Sequence, residues 1–154
     1  MLKLKNGEEV VDRQRSHLHA GVVPLLAEAF AKIESRGRGF LVETVDFGRH
    51  VGEATRVETS EDDTIVFAQR LGRQGLSRFV KNRQPVSTQM VTVILKKGDR
   101  GDYVLITAWV GTQAEPEPWD RNATLKSRDF WSHNALLWGS EPVVPGTETT
   151  VCPW

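Results

Sequence analysis

The spacing of apolar residues changes character along this chain. Val22, Leu26, Phe30 and Ile33 recur at helical intervals around Pro24, a residue suited to a first helical turn, and Gly37 and Gly39 follow as a stop. That stretch is predicted to be a helix. From Phe40 to Gly111 alternation with period two dominates instead. Residues 40–45, a β-branched and aromatic run bounded by glycines, are predicted as the first strand. Residues 64–67, 77–80, 89–96 and 103–110 are predicted as further strands. The polar stretch 97–102 joins the two longest runs, which predicts an antiparallel hairpin. In its second strand Val104, Ile106, Ala108 and Val110 are expected on the core side, with Tyr103, Leu105, Thr107 and Trp109 opposite. The partner strand sets Val91, Val93 and Leu95 against Met90, Thr92, Ile94 and Lys96. The second face would then carry a tyrosine, two threonines, a tryptophan and a lysine. Such a set suits a ligand floor and equally an ordinary half-exposed sheet.

The remaining segments complete the outline. Residues 1–20 read as an irregular arm, residues 115–120, rich in Pro and Glu, as a surface loop, and residues 141–154, with three prolines, as an extended tail. Residues 127–138 are predicted to be a helix capped by Ser127, with Asp129 near its positive end. Its stripes are Phe130, Asn134, Leu137 and Trp131, Ala135, Trp138, and Gly139 stops it. The fold class expected is α+β: an N-terminal helix, a curved antiparallel sheet of four to five strands and a C-terminal helix. Its 154 residues suit a single domain.

Composition narrows the class. Hydrophobic residues make up 39% and charged residues 26%, as in soluble globular proteins, and no apolar run approaches the roughly 18 residues of a membrane span. The N-terminus has no apolar signal core, so a cytoplasmic location and no membrane partner are expected. The single cysteine, Cys152, excludes an internal disulfide and a multi-cysteine metal site. Net charge is zero, yet between Thr64 and Gly98 stand Arg70, Arg73, Arg78, Lys81, Arg83, Lys96 and Lys97 with no acidic residue. Glu53, Glu58, Glu61, Asp62 and Asp63 come just before them. A basic stripe is the footprint of a phosphate-bearing partner. The alternative is that the carboxylates fold back onto the arginines.

Candidate chemistry centres on histidine. His17 and His19 form an H-x-H pair with no carboxylate or cysteine to complete a metal site, so no metal or cofactor is expected. His133, among tryptophans, reads as a partly buried structural residue. His50 follows Arg49 directly after the first strand, with Arg56 six residues on. An imidazole for proton transfer and guanidinium groups for phosphate are the parts of metal-independent RNA cleavage. Nucleophile-elbow, phosphate-loop and dinucleotide motifs are absent from the sequence.

With the hairpin and His50 placed, the layout resembles the bacterial and phage RNase-toxin superfamily of barnase-like, EndoU-like, colicin-type and RelE-like nucleases. The likeness covers residues 40–111 and rests on the upstream histidine and on Tyr103-Val104-Leu105-Ile106-Thr107-Ala108-Trp109, with its threonine-alanine-aromatic ending. It implies cleavage through a 2′-hydroxyl, in a protein of toxin or mobile-element type, with His50, Thr107 and Arg56 as catalytic residues. Arg49, Arg70, Arg73, Arg78, Lys81 and Arg83 would hold phosphate, and Tyr103 and Trp109 would stack on bases. The chain departs from that group in being neutral and in continuing well past Gly111. RNA and a cognate inhibitor are the partners implied. The competing reading is a non-catalytic module that binds nucleic acid or an acidic protein through residues 70–97. A third is self-association, with the acidic strip 53–63 of one copy meeting the basic stretch of another.

Overall fold

A computed structural model of the chain describes residues 2–12, 18 and 21–154. His17 and His19 lie outside the described residues. The fold is α+β, dominated by strands, with two short α-helices. The chain forms two compact units, one from residues 1–53 and 87–113 and the other from 54–86 and 114–154.

The first unit is a five-stranded sheet with a helix on one face. Its strands are β1 (Leu2–Lys3), β2 (Glu9–Val11), β3 (Phe40–Asp46), β9 (Met90–Lys97) and β10 (Tyr103–Val110), in the order β1-β2-β10-β9-β3. A 3-10 turn, Val23–Leu25, holds Pro24 and leads into α1 (Leu26–Ala31). Val22, Leu26, Ala29, Phe30 and Ile33 are buried against Leu41 and Val45 of β3, Val91, Val93 and Leu95 of β9, and Tyr103 and Leu105 of β10. The helical and strand periods read from the sequence meet in this core. After α1 the chain turns through Ser35–Arg38, where Arg36 (φ 52°) and Gly37 (φ 71°) are both left-handed and Arg38 N donates to Ser35 O at 3.1 Å. Two consecutive positive φ angles define a type I′ turn, which favours Asn or Gly at the place Arg36 occupies.

The second unit contains β5 (Arg56–Glu58), β6 (Ile65–Gln69), β7 (Leu76–Val80) and β11 (Asn134–Leu137), ordered β5-β11-β7-β6. Its helix α2 (Leu125–His133) is capped by Thr124, whose hydroxyl accepts from Lys126 N while the Ser127 hydroxyl accepts from Thr124 N. Val57, Val80, Ala135 and Leu137 form one buried cluster and Val66, Ala68 and Phe79 another. The strands β4 (Gly52–Ala54) and β8 (Val86–Thr88) pair as a two-stranded sheet.

Several expectations are corrected. In place of one antiparallel sheet there are two larger sheets, each mixed, because β2 pairs parallel to β10 and β11 parallel to β7. The expected arm contains β1 and β2. The C-terminal helix stops at His133 rather than Trp138, since Asn134–Leu137 is a strand between β5 and β7. A short apolar run satisfies helical and strand patterns alike, and here backbone pairing on both sides decides. The loop 115–120 is not simply a surface crossing. Glu117 is buried, Trp131 Nε1 donates to Glu115 O at 2.9 Å, and Trp119 packs so closely on Gly75 that a Cβ there would stand 2.1 Å from its Cγ.

The hairpin β9–β10 is present, with one change that reorders its faces. A bulge at Ile106 shifts the register, so that Leu105 stands opposite Leu95 and Thr107 opposite Ile94. Before the bulge Tyr103 and Leu105 point into the core and Val104 away from it; after it the core position passes to Ala108. Ile106 is 43% exposed. The even-numbered residues are therefore not one core stripe, because a single extra residue inverts the alternation.

Candidate functional site

One face of the five-stranded sheet lies under α1, and the register defines what the other presents. Three rows cross β3, β9 and β10: Phe40, Lys96, Val104; then Val42, Ile94, Thr107; then Thr44, Thr92, Trp109. Phe40 is 58% exposed and Val42 36%, while Ile94, Thr107 and Trp109 are half-buried. The third row is fixed by hydrogen bonds. Thr92 Oγ1 lies 2.9 Å from Thr44 Oγ1 and donates to Gly111 O at 2.8 Å, and Trp109 Nε1 donates to Thr112 O at 2.9 Å. Thr92 is wholly buried, so what this face presents is Phe40, Val42, Ile94, Lys96, Thr107 and Trp109.

Cations gather at the Phe40 end. Arg38 precedes the strand by two residues and donates to Glu43 Oε1 at 2.6 Å. Arg36 projects from the I′ turn, with its side chain 78% exposed. Lys5, Lys32, Arg36 and Arg38 line an open cleft of about 630 Å³ together with Ile33, Glu34 and Glu43, four cations against two carboxylates, on the α1 side of the sheet that Glu43 shares with Leu41 and Val45.

Of the residues predicted from sequence, Thr107, Trp109 and Lys96 share this face. Tyr103 does not. It is wholly buried on the helix side, its hydroxyl donating to Arg38 O at 2.6 Å, which leaves no ring surface for stacking. His50 is exposed on the loop between β3 and β4. Phe47 N donates to Gln89 O, whereas Thr107 stands opposite Ile94. Gln89 and Ile94 are five positions apart, about 16 Å of extended chain. His50 lies past Phe47, so the register does not bring its imidazole to the Thr107 hydroxyl. Arg49, its neighbour, makes a two-pronged ion pair with Glu28, both contacts 2.7 Å, and stands over the Phe47 ring at 5.3 Å. That hydrogen bonding raises the Arg49 pKa and lowers that of Glu28.

The other predicted cations belong to the second unit, and most of them meet partners there. Arg70 is only 15% exposed. It reaches Glu117, Glu141 at 3.1 Å and the Ser77 hydroxyl at 3.0 Å. Arg78 donates to Thr59 Oγ1 at 2.8 Å and to Asn134 O at 3.0 Å, and Arg56 donates to Asn134 Oδ1 at 3.1 Å while lying over the Phe130 ring. Burial lowers the pKa of both guanidinium groups. Arg83 pairs with Asp63 at 3.0 Å, and Lys81 sits 3.8 Å from Glu148 and over Trp138. The Asp63 carboxyl is held below its ordinary pKa, first by the Ser60 N–H and further by Arg83. Arg73 is exposed. Only Arg83 of these three cations meets the acidic strip that precedes the basic segment, through Asp63; Arg70 and Lys81 pair with Glu117, Glu141 and Glu148 further along the chain.

Phe40, Val42 and Arg38 were missed as candidates. Their signal was Phe40-Leu41-Val42, three consecutive apolar residues on a strand: alternation allows Leu41 into the core only if its neighbours face away. Comparison with known proteins adds no assignment: no known family matches the chain, and neither a curated protein nor a solved structure does.

Proposed function

We propose that the protein is a non-catalytic module that binds single-stranded nucleic acid on the open face of the five-stranded sheet. The observation that carries this reading is a largely exposed aromatic ring, Phe40, directly across the sheet from Lys96. A base stacks on a phenyl ring whatever its identity, and the neighbouring ammonium meets the phosphate that follows it. Trp109 offers a second ring two rows away, Thr107 a hydroxyl between them, and the turn before Phe40 adds the exposed Arg36. The reading does not use the basic segment 70–83, several of whose charges are already paired within the protein.

The test is fluorescence anisotropy with a labelled single-stranded RNA, with EDTA present and salt varied. Phe40→Ala is expected to weaken binding about 5- to 150-fold, the equivalent of the roughly 1–3 kcal/mol of one stacked base. Lys96→Ala is expected to weaken it less and to reduce the salt slope by about 0.7, as for one lost phosphate contact. Binding indifferent to Phe40→Ala, or no binding at low salt, removes the proposal. RNA cleaved in EDTA by the wild type and left intact by His50→Ala would replace it with the ribonuclease reading.

A further inference from the structure

A sheet must dispose of its edges, because an unpaired strand offers a row of N–H and C=O groups to any other chain. Of the four edges of the two larger sheets, two are short: β1 has two residues and β5 three. The edge at β6 is taken by the C-terminal segment. Thr149 and Phe67 exchange N–H···O bonds of 2.8 Å, Val144 N donates to Gln69 O at 2.7 Å, and Gln69 N donates to Thr147 Oγ1 at 3.0 Å. The fourth edge, β3, is seven residues long, and among the described residues no strand pairs with its outer side.

The direction of its backbone groups follows from the ladder. Lys97 N donates to Gly39 O, and Phe47 N donates to Gln89 O, so the odd-numbered residues of β3 spend their backbone bonds on β9. Phe40, Val42 and Thr44 therefore turn their N–H and C=O groups outward. Two of these three also carry exposed apolar side chains on the open face.

We propose that β3 pairs antiparallel with β3 of a second copy, about a two-fold axis at Val42. Only residues with outward backbone groups can face one another in bonded pairs, which restricts the register. Centring on Val42 sets Val42 against its own copy and Phe40 against Thr44, and brings Asp46 of each chain to the place where Arg38 of the other precedes the strand. Charge is then complementary at both ends. Centring on Glu43 would oppose two like carboxylates, which is destabilising. The pairing joins the two five-stranded sheets into one and leaves their open faces on the same side. It differs from the docking of strip 53–63 on a basic stretch, and it does not depend on nucleic acid.

Disulfide trapping tests it, in a Cys152→Ser background and without nucleic acid. Val42→Cys is expected to cross-link on mild oxidation, since directly opposed residues in a bonded pair have Cα atoms about 5.5 Å apart, within disulfide range. Asp46→Cys should not cross-link, because the two copies of residue 46 stand about 27 Å apart along the strands. Light scattering should show a wild-type mass of twice 17.3 kDa at high concentration. Val42→Pro, which deletes an N–H that β9 does not use, should give the monomer mass with the far-ultraviolet spectrum retained. A monomer at all concentrations, or cross-linking at residue 46 and not at 42, overturns the proposal. The cysteine pair decides it even if the proline variant fails to fold.

Discussion

The two larger sheets have different interiors. Against the five-stranded sheet lies an apolar helix, and the core is built from Leu26, Phe30, Leu41, Val93, Leu95 and their neighbours. In the unit of the four-stranded sheet, charges are drawn inward. Arg70 lies between Glu117 and Glu141, and Arg78 is tied to the carbonyl of β11. An apolar core loses stability in proportion to what is cut out of it. A buried ion cluster loses most when it is left half-complete, because one remaining charge has neither water nor partner. The sheets also differ at their long edges: β6 is bonded to the tail of its own chain, while among the described residues no strand pairs with the outer side of β3.

This contrast can be broken at its two centres. Phe30→Ala is expected to cost about 3–5 kcal/mol, read as a lowered urea midpoint, through lost burial and a residual cavity. Arg70→Met is expected to cost a similar 3–5 kcal/mol or so, by stranding Glu117 and Glu141. The difference lies in rescue: adding Glu117→Gln and Glu141→Gln to Arg70→Met should restore at least half of that loss. If Arg70→Met alone costs less than about 1 kcal/mol, the charged interior is not what holds the second unit.

A smaller effect sharpens the picture of the second unit. Gly75→Ala should destabilise by about 1–3 kcal/mol, since the added methyl would overlap the Trp119 ring, and thermal unfolding would register it. An unchanged midpoint would show that Trp119 moves aside freely. The smallest effect expected is a gain in the first unit. Arg36→Asn should raise stability by about 0.5–1 kcal/mol, because Asn tolerates the left-handed conformation that Arg36 adopts. Weaker nucleic-acid binding in that same variant would identify the strain as the cost of presenting a cation at the turn.

Much of the first unit was legible in the sequence because its signals are local and repeated. The helix around Leu26 and Phe30, strand β3 and the β9–β10 hairpin all follow from apolar spacing and intervening polar turns. The bulge at Ile106 was not legible, since nothing in a β-branched residue marks a shift of register. The candidate site was legible in part for the same reason. Thr107, Trp109 and Lys96 keep their common face, while Tyr103, on the far side of the bulge, leaves it. In the second unit β5 and β11 are short and draw their stability from each other across 76 residues or more of chain, from Glu58 to Asn134, so no local pattern announces them.

The sequence by itself determined the class of the protein, its longest strands and which apolar residues of the helix and of β9 would be buried. Those properties depend on side chains within a few positions of one another, and the chain carries them wherever it goes. Only the tertiary structure decided which face of β10 looks outward, that residues 134–137 extend rather than coil, and that three cations of the basic segment end on carboxylates. Each of these turns on a partner distant in the chain: a backbone hydrogen-bonding to two strands at once, or a guanidinium whose charge is cheaper to bury beside Glu117 and Glu141 than alone. Sequence patterns record what each residue prefers, and folding chooses among preferences by the partners it brings within reach.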